Sequence, residues 1–291
     1  MVSSSEEGAD VERVGVVGCG QMGAGIAEVC ARAGLDVIAV ESSPAAAEAG
    51  RRRLEASLAR AERKGKVASA AEVLERIRIS ESLNDLADRS LVIEAIVENE
   101  RVKAELFAAL DEIVSAPDAI LASNTSSIPI MKLGTVTHRP AQVLGIHFFN
   151  PVPVLPLVEL VPSLLTAEET VGRARAFAQD VLGKHAIRCQ DRAGFVVNAL
   201  LIPFILAAIR MLESGFATRE DIDEGLVRGA AHPQGPLALA DLIGLDTTKA
   251  VAESLYEEFK EPLYAPPPLL ARMVEGGLLG RKSGRGFYTY S

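Results

Sequence analysis

An α/β domain with a mainly parallel sheet, followed by an all-helical region, is the fold class this sequence predicts. Three observations carry it. Short β-rich runs alternate with helical patterns through the first 185 or so residues. A glycine-rich turn joins the first such run to the first helical pattern. Beyond about residue 185 the strand signal nearly vanishes. Alternation of this kind implies parallel strands joined by helical crossovers, with helices on both faces of the sheet.

Taken in order, Val14 to Val17 is a short β-rich run that Gly18 breaks. A helical pattern follows from Met22 to Ala33, and Gly34 ends it as a C-cap would. Leu35 to Val40 is a second strand, so residues 13–41 form a βαβ unit. Further β runs are IRI at 77–79, LVIEAIV at 91–97, AILAS at 119–123 and VLGIHFF at 143–149. Helical patterns at 43–65 and 101–115 are the longest of those between them. Later, GFVVNALLIPFILAAIRMLESG is apolar nearly all round, which predicts a buried helix at a subunit contact, kinked at Pro203. Thr218 with an acid three residues on is close to a capping box. HPQGPLALADLIGLD, KAVAESLYEEF and PPPLLARMVEGG read as short helices separated by Pro and Gly. The expected domains are 1–187 and 188–291.

Composition narrows the function. The 291 residues carry a formal charge of -9, which argues against nucleic acid, whose binders need a net basic surface. An anionic ligand must then be held by local positive charge. Cys19, Cys30 and Cys189 form no metal-ligand pattern, and their odd count suits reduced thiols better than a disulfide framework. The acidic start MVSSSEEGADVE is no signal peptide, and no apolar run reaches the roughly 20 residues a membrane helix needs. The expectation is a soluble cytoplasmic protein with no metal.

Gly18-x-Gly20-x-x-Gly23 lies between strand and helix, and that context makes a weak motif strong. The first glycine allows a tight turn and the second lets backbone amides approach a pyrophosphate. The third lets helix and strand pack closely, and the helix N-terminus faces the phosphates. An acid about 20 residues on should hold the adenosine ribose, and Glu41 stands there. It would repel a 2′-phosphate, which favours NAD(H) over NADP(H), although the motif alone also admits FAD. The unit is of the Rossmann type.

Two further clusters carry chemistry. RRRLEASLARAERKGK (51–66) holds seven Lys/Arg against two Glu, with Arg53, Ser57, Arg60 and Lys64 on one helical face. A solvated face is the commoner explanation of a charge run, and the run alone leaves a polyanion site equally open. His147 follows the apolar run Val143 to Ile146, and Glu159 lies twelve residues on, across a Pro-rich turn. An alcohol-oxidising nicotinamide enzyme needs a base for the hydroxyl proton. A histidine whose tautomer is fixed by a carboxylate suits that role. Alone, His147 would read as a structural histidine at a strand end. SNTSSIPI (123–130) also ends a strand, and its Asn and Ser residues either reach a ligand or cap the next helix.

GxGQMGxGIA, VIEAIVEN, ASNTSS, HFFNPVPV with LVE, GFVVN, HPxGPLxLxDLIGLD and GRKSGRGFY occur in that order from residue 18 to 288. Together they resemble the short-chain 3-hydroxyacyl-CoA dehydrogenase family, most of all its bacterial 3-hydroxybutyryl-CoA dehydrogenases. The resemblance implies a catalytic base at His147 with Glu159 as its partner. It implies that Ser126 contacts substrate and nicotinamide, and that Asn198 orients the substrate. Around NAD it places Gly18, Gly20, Gln21, Met22, Gly23, Glu41, Glu98, Lys103, Ser126, Asn150 and Lys282. Against CoA it places Ser57 and Lys64. It also implies a homodimer through the helical domain. Leu155-Pro156 departs from the Met-Lys pair common after HFFNPVPV. Two other readings compete. One is a free-acid 3-hydroxyacid dehydrogenase related to phosphogluconate enzymes, which would normally use a lysine base. The other is an NAD-binding sensor without turnover.

Overall fold

The computed structural model describes residues 11–290. They fall into two compact units that divide after Asp191. The first runs β1 (Arg13–Val17), α1 (Gln21–Arg32), β2 (Asp36–Val40), α2 (Pro44–Arg63), α3 (Ala70–Leu74), β3 (Ile77–Ser80), β4 (Leu91–Glu94), α4 (Glu100–Ile113), β5 (Ile120–Ser123), α5 (Ile130–Gly134), β6 (Val143–Phe148), β7 (Leu157–Pro162), α6 (Glu168–Ala176) and β8 (His185–Arg188). The strands form one sheet in the order β3-β2-β1-β4-β5-β6-β7-β8. Pairing is parallel throughout except between β6 and β7, which run antiparallel.

The short apolar runs form strands because both of their faces are buried. Val14 and Val16 of β1, Leu91 and Ile93 of β4, and Ile120 and Ala122 of β5 join the core that α1 and α2 close with Ile26, Leu54 and Leu58. The alternate residues Val92 and Leu121 are fully buried as well. On that side α4 packs on β5 and α5 on β6. A doubly covered sheet leaves no polar face to interrupt the pattern, which explains why runs such as LVIE contain almost no polar residue.

Helix starts are set by side-chain caps. Ser43 accepts from the Ala46 amide and opens α2, and Asn99 accepts from the Val102 amide and opens α4. α1 ends at Arg32, and Gly34 takes φ +91° just beyond its C-cap.

Three strand expectations are corrected. The run 91–97 is strand only to Glu94. The Glu94 carboxylate accepts from the amide two residues on, at Ile96, and so turns the chain out of the sheet. β7 and β8 are strands the periodicity does not reveal. β7 is bounded by prolines and carries Glu159 among apolar residues, while β8 is four residues long with exposed ends. β8 carries the sheet to Arg188, and the Asp191 carboxylate accepts from the Ile130 and Met131 amides at 2.8 Å. The first unit therefore extends past residue 187.

The second unit is helical: α7 (Val197–Glu213), α8 (Arg219–Gly229), α9 (Pro236–Ile243), α10 (Leu245–Phe259) and α11 (Pro268–Glu275). α7 runs through Pro203 and buries Ile202, Ile205, Leu206 and Ile209. It is not buried all round: Leu200 is 72% exposed, and Met211 41%. Thr218 caps α8 by accepting from the Asp221 amide.

Two buried aspartates organise this unit. Asp223 accepts from the Leu237 and Ala238 amides at 2.9 and 3.0 Å, satisfying the free N–H groups at the start of α9. Asp241 accepts from the Phe287 and Tyr288 amides and from the Tyr290 hydroxyl. A Cβ on Gly286 would stand 1.9 Å from the Asp241 carboxylate, so that approach requires glycine. The motifs HPxGPLxLxDLIGLD and GRKSGRGFY are thus largely one structural clasp. Among the described residues, no helix is long and apolar enough to cross a membrane.

Candidate active site

In a doubly wound sheet the groups that meet ligands gather outside the carboxyl ends of the strands. The turn from β1 to α1 shows why three glycines stand where they do. Gly18 takes φ +89°, and a Cβ there would meet the Ala95 carbonyl oxygen at 2.7 Å. A Cβ on Gly23 would lie 1.7 Å from the Gly18 carbonyl oxygen. Gly20, the N-cap of α1, faces open space instead, and no side chain caps the helix. The first turn of α1 therefore presents backbone N–H groups beside a clear approach, the arrangement that receives a pyrophosphate. Gln21 and Met22 form that turn, and the Gln21 side-chain amide donates to the Asn150 side-chain oxygen at 3.1 Å. Asn150 thus lies beside the glycine-rich turn although 129 residues separate it from Gln21.

Glu41 follows β2. One of its oxygens accepts from the Cys19 amide at 2.6 Å, inside the glycine-rich turn, and the other from the Ser42 amide. A carboxylate retains lone pairs beyond those two bonds, so hydroxyl donors can still be received.

A buried ionic network lies beyond β4 and β5. Lys103, 1% exposed, sits 2.7 Å from Glu94 and 3.0 Å from Glu98. Ser123 donates to the second Glu94 oxygen at 2.6 Å. Glu98 accepts from the hydroxyls of Thr125 and Ser127 and from the Ser126 amide. Burial acts to raise the Glu98 pKa, but the Lys103 ammonium and those hydroxyls prevail and hold it below the usual carboxylate range. Asn124 is spent on the Phe148 amide at 2.9 Å, and Thr125 accepts from Ser127 and Ile128 amides. Of the run Asn124 to Ser127, Ser126 keeps a side-chain hydroxyl without a hydrogen bond to any of the described residues. Lys103 reaches this place from inside the fold, with its charge held between two carboxylates. Glu94 drew no assignment from sequence; its one signal was a lone acid in an apolar strand.

His147 and Glu159 are direct cross-strand partners in the β6–β7 ladder, so both side chains project from the same face. The Nδ1 atom lies 2.7 Å from a Glu159 carboxylate oxygen. His147 is 6% exposed and Glu159 fully buried. The Phe149 ring packs edge-on against the imidazole, with centroids 4.6 Å apart. The carboxylate makes Nδ1 the protonated nitrogen of a neutral ring, which leaves Nε2 as the basic one.

On α2, Leu54 and Leu58 face inward, while Ser57 and Arg60 line a cleft shared with α1 and the 150–153 loop. Lys64 is exposed at the C-cap of the helix. Two expected residues belong to the second unit. Asn198 stands in the first turn of α7, and Lys282 donates to Asp246 at 2.6 Å.

The profile of the NAD-binding domain of 3-hydroxyacyl-CoA dehydrogenase matches residues 13–192, and that of its C-terminal domain residues 194–290. A 3-hydroxybutyryl-CoA dehydrogenase of Mycobacterium tuberculosis is 61% identical over 282 residues, covering 96% of this chain and 99% of the relative. The chain belongs to the 3-hydroxyacyl-CoA dehydrogenase family. Two solved structures agree. FadB2 of Mycobacterium tuberculosis is 60% identical with a TM-score of 0.95, covering 97% of this chain and 99% of its own. The (S)-3-hydroxybutyryl-CoA dehydrogenase PaaH1 of Ralstonia eutropha is 48% identical with a TM-score of 0.91, covering 97% and 100%. As a member of this family the chain is an NAD-dependent oxidoreductase acting on a CH–OH group, with NAD(H) as its cofactor.

Proposed function

We propose that this chain interconverts (3S)-3-hydroxyacyl-CoA, 3-hydroxybutyryl-CoA above all, and the corresponding 3-ketoacyl-CoA. The observation that carries the reading is the buried pair of His147 and Glu159 across β6 and β7. Bound NAD would supply the hydride acceptor for C3 of the hydroxyacyl group, and bound NADH the donor in the reverse direction. His147 takes the C3 hydroxyl proton on Nε2 in oxidation and gives it back to the developing alkoxide in reduction. Glu159, at Nδ1, fixes the tautomer and offsets the charge of the imidazolium that forms. The substrate oxygen is held by Ser126 and Asn198, which limits the poses available to C3.

Gly18, Gly20, Gln21, Met22 and Gly23 receive the cofactor's phosphates, and Glu41 its adenosine ribose. Glu98, Ser126, Asn150 and Lys282 complete its surroundings, with Lys103 acting through Glu98. Ser57 and Lys64 receive CoA, on a strongly basic face of an acidic chain. The free, buried thiols of Cys19 and Cys30 fit a reducing compartment such as the cytoplasm. The protein forms a homodimer through its helical unit.

The test is NADH oxidation with acetoacetyl-CoA, run beside free acetoacetate and NADPH. Turnover that requires both the thioester and NADH is expected. Equal turnover of free acetoacetate would overturn the acyl-CoA reading, and equal use of NADPH the role of Glu41.

A further inference from the structure

A buried carboxylate, Glu94, closes β4 at the end of the sheet where the ligand-facing groups gather. Its Oε1 accepts from the Ile96 amide and from the Lys103 ammonium, both at 2.7 Å. Its Oε2 accepts from the Ser123 hydroxyl at 2.6 Å. Two of these contacts run on to the turn that carries Ser126. Ser123 stands opposite Glu94 in the parallel ladder, and its oxygen accepts from the Thr125 amide at 3.1 Å. Lys103 lies 3.0 Å from Glu98, which accepts from the Ser126 amide at 3.2 Å and from the hydroxyls of Thr125 and Ser127. On its other side the same turn is tied to the strand of His147, because Asn124 accepts from the Phe148 amide at 2.9 Å. The backbone around Ser126 is thus held from both sides, while its hydroxyl has no bond to any of the described residues.

We propose that Glu94 is a positioning residue for hydride transfer: through Ser123, and through Lys103 with Glu98, it fixes the turn that holds the Ser126 hydroxyl where the substrate oxygen is received. Glu94 itself touches neither cofactor nor substrate. The proposal rests on the role given to Ser126 in the proposed reaction. Stability alone is a poor reason for the arrangement. A buried carboxylate and a buried ammonium both lose their hydration, and well-packed apolar side chains in their place are often as stable or more so. What a hydrogen-bonded buried charge adds is a single geometry, because any other leaves a charge unpaired at high cost. That geometry matters most beside a group whose oxygen must meet a reacting atom.

The experiment is a double-mutant cycle between Glu94→Gln and Ser126→Ala, read as kcat and KM for acetoacetyl-CoA with NADH. Glutamine keeps the shape of glutamate and one acceptor oxygen, but it leaves the Lys103 charge to Glu98 alone. Glu94→Gln should lower kcat at least about tenfold, because a shift of about an ångström at a reacting group can cost on the order of 10²-fold. Positioning acts in the transition state, so KM for acetoacetyl-CoA should stay within about threefold of wild type. Ser126→Ala should lower kcat as well. Because Glu94 acts through Ser126, the double variant should match Ser126→Ala within about twofold. Losses that multiply, as they do for independent sites, overturn the proposal. So does a Glu94→Gln enzyme with a lowered melting temperature and wild-type kcat, the signature of a carboxylate that only holds the fold. If Glu94→Gln does not fold, Ser123→Ala cuts one of the two connections and leaves the ion pair in place. A wild-type kcat for Ser123→Ala, or a loss that multiplies with that of Ser126→Ala, overturns the proposal equally. Should Ser126→Ala alone keep the wild-type kcat, the role of Ser126 falls and the proposal with it, while wild-type turnover still supports the acyl-CoA reaction. A wild-type protein that does not turn over acetoacetyl-CoA is a different result, because it removes the reaction itself.

Discussion

His147 and Glu159 are twelve residues apart in the chain and 2.7 Å apart in space, and the antiparallel turn between β6 and β7 makes both true. His147→Gln keeps an amide near Glu159 but cannot exchange the proton. It should cut kcat by on the order of 10²-fold or more while leaving the NADH dissociation constant within about threefold. A variant with nearly unchanged kcat would falsify the assignment. Glu98 supports a prediction about pH. Its folded-state pKa is depressed, so it contributes stability above the unfolded value of about 4.3 and loses it as pH falls through the lower folded value. Glu98→Gln should therefore show a shallower fall in urea midpoint than wild type just below about pH 4.3, and a parallel fall would refute the role given to Lys103. The histidine was legible because an ionisable ring at the end of an apolar run is unusual. The Glu94–Lys103–Glu98 network was not, because a lysine on an amphipathic helix has the same sequence signature whether it points to water or inward.

Elements were legible wherever burial imposes one pattern over several residues. The doubly covered strands β1, β2, β4, β5 and β6 showed as apolar runs, and the capped helices α2 and α4 as periodic segments with Ser43 and Asn99 before them. β7 and β8 were illegible because the first is bounded by prolines and carries Glu159 among its apolar residues, the second has exposed polar ends, and each is defined by its partner strand rather than by its own composition. The glycine-rich turn permits a contrast between two positions three residues apart. A side chain at Gly20 meets nothing in the fold, whereas one at Gly23 collides with the Gly18 carbonyl oxygen. Gly20→Ala should leave thermal stability of the cofactor-free protein within about 0.5 kcal/mol, as at an open surface site, and weaken NADH binding at least tenfold. Gly23→Ala should lower the stability of the cofactor-free protein itself. Calorimetric melting with and without NADH separates the two, and equal destabilisation by both would contradict the division between ligand approach and internal packing.

At the scale of the molecule, α7 shows why an over-apolar helix is ambiguous in sequence. Its composition predicts burial on every side, yet the chain alone covers only the face bearing Ile202, Ile205, Leu206 and Ile209. Leu200, Ala207 and Met211 fall within one stripe at i, i+7 and i+11 and stay exposed, and Phe216, just past the helix, is 79% exposed. Apolar surface in water costs roughly 25 cal/mol per Å2, so this stripe is the face proposed for the homodimer contact. A two-fold dimer needs one self-complementary patch, and this stripe is the candidate for it. The native protein should sediment as a dimer at micromolar concentration, and Leu200→Lys should shift it to monomer while the far-ultraviolet circular dichroism stays unchanged. A charge within such a patch must lose its hydration on both copies at once, which is why one substitution suffices. If Leu200→Lys sediments as the wild-type dimer does, the contact lies on another face of the helical unit.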